Sequence, residues 1–93
     1  MELPVHYPSL SWKKRKAVRN AYIALQEDKC LFCKEDLHGA PHEEVAAKEI
    51  NWDLFPPNFL AYPIHLQHLH DTGMTEGAVH AYCNAIWWQY EGR

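Results

Sequence analysis

The residues best suited to chemistry stand in two spaced pairs, Cys30-Leu31-Phe32-Cys33 and His80-Ala81-Tyr82-Cys83. Thiolate sulfur and imidazole nitrogen are the ligands zinc prefers, and two intervening residues let a tight turn bring both members of a pair to one tetrahedral ion. Cys30 and Cys33 alone would equally suit a redox dithiol or two buried thiols. The second pair repeats the spacing with histidine leading, so Cys30, Cys33, His80 and Cys83 together read as a four-coordinate structural Zn²⁺ site. Three cysteines, an odd number, cannot all enter disulfides, which also favours metal over a disulfide framework.

Between the pairs lies a second group, His68-Leu69-His70-Asp71-Thr72-Gly73, followed by Gly77 and by Asn84 directly after the last cysteine. Joined to the ligand pairs, this order resembles the His-x-His-x-Thr-Gly, Gly, Cys-x-x-Cys-Asn signature of the phage recombination endonuclease VII family, within the HNH or ββα-metal (His-Me finger) nucleases. The resemblance covers residues 30–90. It implies a divalent-metal-dependent endonuclease hydrolysing DNA phosphodiester bonds, a phage protein acting in the host cytoplasm. His68 would be the general base that activates water, and His70 would support the phosphate or leaving group. Asn84 would coordinate a catalytic Mg²⁺ or Mn²⁺. Relatives that resolve junctions act as dimers, so a homodimer is an expected assembly.

The sequence departs from that signature at three places. Gln67 stands where an acidic or histidine metal ligand is usual, and an amide carbonyl is a weaker ligand for a hard cation. Leu69 replaces a common aspartate, and Trp87 stands where the family can place an acid. Either another donor such as His65 or Asp71 completes the metal set, or the chain is a catalytically degenerate zinc module that binds nucleic acid or a protein without cleavage.

The elements that must position these groups follow from local pattern. Trp12, Val18, Tyr22 and Leu25, with Ala17 and Ala21, recur on one face of an amphipathic helix over residues 11–28, with Ser11 as N-cap. Lys13, Lys14, Arg15, Lys16 and Arg19 occupy its remaining circumference, where they stay in water or meet DNA phosphates. Residues 42–50 suggest a short helix, and nothing in 34–60 carries evident chemistry. Residues 60–70 alternate as a half-buried strand, with Ile64, Leu66, His68 and His70 on one face. A turn at Asp71-Thr72-Gly73 leads to a return strand at 78–80, then to a helix over 83–90 that packs Ile86, Trp87 and Tyr90. His6, His38 and His42 have no ligand partner at useful spacing and read as surface or loop residues. The fold class is therefore small α+β: a zinc-stabilised ββα-metal domain behind an N-terminal basic helix.

Composition sets the frame. The chain has 93 residues, 47% hydrophobic and 23% charged, which suits a single domain over 1–93 with a core small enough that a metal adds useful stability. No apolar run approaches the ~20 residues of a membrane span, and no secretory leader is recognisable at the start, so the expected setting is intracellular. Net charge is −3, unevenly spread. Residues 1–19 set five cations against Glu2, whereas the remainder sets four against eleven carboxylates. An electrostatic footprint for a polyanion would fall on the first helix.

Overall fold

The computed structural model describes residues 2–92. Helix α1 spans Trp12–Leu25, and the Ser11 hydroxyl accepts from the Lys14 amide at 3.3 Å. That satisfies one of the amides a helix start leaves unpaired. The helix stops short of residue 28 because Glu27 and Asp28 adopt left-handed backbone, φ 54° and 61°, turning the chain towards Cys30.

Two strands, β1 (Ile64–His68) and β2 (Thr75–His80), pair antiparallel with Ile64 opposite His80 and Gln67 opposite Gly77. The register slips between Gln67 and His68, so that His68 faces Thr75 and the ladder ends there. β1 is accordingly shorter than the alternating pattern suggested, and His70 lies beyond it. The connecting turn is closed by Leu69 N–H to Met74 carbonyl (2.9 Å) and Gly73 N–H to Leu69 carbonyl (2.7 Å). Gly73 has φ 75°, and a Cβ there would sit 2.9 Å from His6 Nε2, so both backbone and space demand glycine.

The N-terminal segment extends this small sheet. His6 bridges Met74, Tyr7 N–H donates to Gly73 carbonyl (2.8 Å), and Thr75 N–H donates to Val5 carbonyl (2.9 Å). Helix α3 (Ala81–Glu91) follows β2 without a linker, since His80 ends the strand and occupies the N-cap position of the helix. It begins two residues earlier than the pattern suggested. A single turn of helix, α2 (Glu43–Ala46), is all that forms within the expected 42–50.

The core joins Val18 and Tyr22 of α1 to Leu66, Ala78, Val79, Cys83 and Ile86, with Leu37 and Val45 from the insert. Trp12 and Leu25, expected on the packed stripe of α1, are instead 72% and 71% exposed. Two strands give a platform only ~10 Å wide, and a 14-residue helix runs ~21 Å, so the ends of α1 overhang it. Tyr90 is also exposed; its hydroxyl donates to the Glu49 carbonyl at 2.7 Å and ties down the insert instead of entering the core.

Gln26, just past α1, treats β2 as a neighbouring strand would. Its Oε1 accepts from Ala78 N–H (2.8 Å) and its Nε2 donates to Ala78 carbonyl (2.9 Å). Replacing it with alanine strands the N–H of a buried residue, while the Ala78 carbonyl keeps the Leu31 N–H at 3.0 Å. Gln26→Ala is expected to cost about 1–3 kcal/mol, read as a lowered midpoint of thermal or urea unfolding. An unchanged midpoint would mean that water replaces the side chain without loss.

Candidate metal centre and the adjoining cleft

The donor atoms of Cys30, Cys33, His80 and Cys83 all lie within 4.8 Å of one another. His80 Nδ1 is 3.4 Å from Cys33 Sγ and 3.5 Å from Cys83 Sγ. Sulfur and nitrogen bound at ~2.3 and ~2.0 Å to one tetrahedral centre stand roughly 3.6 Å apart, so these separations fit the edges of a zinc tetrahedron. One ring nitrogen close to two sulfurs suits a shared ion better than it suits two hydrogen bonds.

Local structure explains how each donor arrives. Lys29 and Asp36 bridge across the knuckle, with Cys30 N–H donating to Glu35 carbonyl at 2.8 Å. Lys34 takes φ 70°, the left-handed residue that closes the turn, and Cys33 N–H points at Cys30 Sγ from 3.5 Å. His80 sits at the junction of β2 and α3, and Cys83 follows one helical turn later. His80 Nε2 donates to the Asp36 carbonyl at 2.7 Å, which directs Nδ1 towards the sulfurs. The Asp36 carbonyl was invisible to side-chain reasoning because any residue could supply it.

Burial raises the stakes for charge. Cys30, Cys83 and His80 are buried. Without an ion, a hydrogen bond from Cys83 stabilises the Cys30 thiolate and pulls its pKa well down, while the same bond and burial push Cys83 up. One proton shared between two buried thiols is what a divalent ion would displace, offsetting most of the thiolate charge.

The other sequence-derived residues gather at a cleft of about 590 Å³. Its floor carries Gln67, His68, His65, His70 and Asn84, and α1 contributes Arg15, Lys16 and Arg19. Lys13 and Lys14 do not line it, so three of the five expected cations face the site. Asp71 is also elsewhere: its carboxylate accepts from the Thr72 amide at 2.9 Å in the exposed turn. His6, His38 and His42 join neither group; His38 Nε2 meets Asp28 at 3.2 Å on the surface. Among the described residues no carboxylate lines the cleft.

Within it, Asn84 Nδ2 lies 3.1 Å from His65 Nδ1. Burial lowers the pKa of His65, which keeps Nδ1 free to accept. His65 therefore orients Asn84. Gln67 is 2% exposed and its Nε2 donates to the His68 carbonyl at 3.1 Å, leaving the amide oxygen to the cleft.

His68 is half-buried and its ring stacks on Tyr7, centroids 4.1 Å apart and planes within 5°. The Arg15 guanidinium covers the other partner, 4.1 Å from the Tyr7 ring centre. Burial depresses the His68 pKa, with positive charge on His70 and Arg15 acting in the same direction. Tyr7 was not singled out from the sequence. An aromatic residue 61 positions away carries no local signal of such a contact.

No protein-family model, curated protein or solved structure matches this chain. Among the described residues no helix is long and apolar enough to cross a membrane.

Zinc is expected to copurify at one ion per chain. Cys30→Ala, or stripping by a strong chelator, should abolish the cooperative thermal transition, because structural zinc supplies about 10–16 kcal/mol and a domain of this size holds only ~5–15 in total. A melting curve unchanged after verified metal removal would refute a structural metal.

Proposed function

We propose that the chain is a metal-dependent DNA endonuclease of the HNH type, similar to the recombination endonuclease VII family, built around a structural zinc. The observation that carries the reading is the meeting of His68, His70 and Asn84 with three cations in one cleft. The succession β1, β2, α3, with β1 and the first turn of α3 lining the cleft and the Cys₃His cluster at the strand–helix junction, supports a ββα-metal unit.

In this reading Arg15, Lys16 and Arg19 draw the phosphate backbone to the floor of the cleft without reading sequence. His68, neutral because its pKa is depressed, takes a proton from water as the oxygen attacks phosphorus. The bond from phosphorus to the leaving oxygen breaks, and His70, its ring centre 5.2 Å from that of His68, would support that oxygen. Asn84 is held by His65 with its amide oxygen as a hard donor, and Gln67 offers a second. A divalent cation bound there would neutralise charge on the phosphorane and the leaving oxygen. With only neutral protein oxygens available, the substrate phosphate must complete its site, so cation and DNA are expected to bind cooperatively.

His68→Ala is expected to reduce cleavage in Mg²⁺ or Mn²⁺ by about 10²–10⁴-fold while zinc content is unchanged and a cooperative melting transition is kept. Wild-type protein that cleaves no DNA form in Mg²⁺, Mn²⁺ or Ni²⁺ would refute the activity.

Among the described residues no carboxylate lines the cleft, which favours a second reading, a zinc module that binds nucleic acid without cutting it. Binding with no cleavage is its signature. If His68 is the base, activity should fall as pH drops through its pKa, with half-loss below the ~6.5 of an ordinary histidine, since the neutral imidazole is the working form. Half-loss well above 6.5 would assign that role to another group.

A further inference from the structure

The cleft has a feature that phosphate chemistry does not require. Trp12 and Tyr62 both line it, and they are 72% and 70% exposed. Phe59 joins them, half-buried, edge-on to His65 with centroids 4.7 Å apart. A tryptophan and a tyrosine left this far in water gain nothing for the fold, and large exposed apolar surface at a concave site marks a place where a ligand is covered. The same walls carry Lys16 and Arg19 and, among the described residues, no carboxylate, in a chain whose net charge is −3.

Planar rings beside cations select a ligand that has both flat π-faces and phosphates. An intact duplex meets only half of that requirement, because its base faces are stacked on one another and only base edges reach the grooves. Unpaired nucleotides meet all of it: each base offers a face to an aromatic ring while its phosphate meets a cation. An apolar peptide would leave the cations unmatched, and an acidic peptide would leave the rings unmatched.

We infer that the cleft is a single-strand site, in which Trp12 and Tyr62 stack unpaired bases while Lys16 and Arg19 hold the adjoining phosphates. The inference deepens the nuclease reading by naming its substrate class, and it rests on that reading for the direction in which the strand is presented to His68. Trp12 acts through its exposure. The overhang of α1 beyond the sheet, which removes this ring from the core, is what delivers it to the cleft mouth.

The test is equilibrium binding by the zinc-loaded full chain with no added Mg²⁺ or Mn²⁺, at one fixed salt concentration. The probes are fluorescein-labelled oligothymidylate, oligouridylate of the same length, and a blunt DNA duplex. The better single strand is expected to bind at least about tenfold more tightly than the duplex, and which one it is identifies the sugar. Trp12→Ala and Tyr62→Ala should each weaken single-strand binding about tenfold, Trp12→Phe should retain most of it, and Leu25→Ala, equally exposed but outside the cleft, should change nothing. Duplex bound as tightly as either single strand, or wild-type affinity in both alanine variants, overturns the inference. Cleavage of duplex with no single-strand preference would leave the nuclease reading standing without it, and single-strand binding by a chain that never cleaves would do the reverse.

Discussion

Four donor atoms from two distant segments must share one centre, and the remainder of the structure is arranged around that requirement. His80 meets it in three ways at once: it closes β2, stands at the N-cap position of α3, and turns Nδ1 to the sulfurs while Nε2 is held by Asp36. Because the ligand sits at the strand–helix junction, the direction in which α3 leaves the sheet is tied to the cluster. Cys83 then faces inward and is fully buried, and Asn84, one residue round the helix, faces the cleft beside His65. The Cys₃His cluster and the cleft are two sides of the same first turn of α3.

The cleft exists because three separate pieces of chain meet over β1. Helix α1 supplies the cations, the N-terminal segment supplies Tyr7, and the segment ahead of β1 supplies Phe59 and Tyr62. The column from Arg15 through Tyr7 to His68 ties two of these pieces to the strand that carries the imidazole. Charge is sorted more sharply in space than along the chain. Exposed carboxylates beyond ~10 Å are largely screened, so the local surplus of cations, not the net charge of −3, is what a polyanion meets.

Much of the site was legible in the sequence because its pieces are local. Ligand pairs two residues apart, a histidine strand, a turn at Asp71-Thr72-Gly73 and an asparagine next to a cysteine each need only a few residues to be recognised. The α+β class, the N-cap at Ser11 and the convergence of the Cys₃His donors appeared as expected. Contacts with no local signal were missed. Tyr7 on His68, Gln26 along β2 and the Asp36 carbonyl behind His80 are long-range pairings in which one partner is chemically ordinary. Periodicity misplaced Trp12 because a helical pattern says which side of a helix a residue occupies, not whether anything lies opposite it. Asp71 failed as a cleft residue for a related reason: adjacency to His70 in sequence does not survive a turn.

By itself the sequence determined the donor set for a metal such as zinc, the amphipathic and basic character of α1, and the order of strand, turn, strand and helix. Those properties depend on residue type and short spacing, which folding does not alter. The tertiary structure decided which cations face the imidazoles, which amide is oriented and by what, and which aromatic rings are left in water at the cleft. Those depend on how far a two-stranded sheet extends beneath a 14-residue helix and on where the N-terminal segment crosses it. Both are matters of packing between segments far apart in the chain.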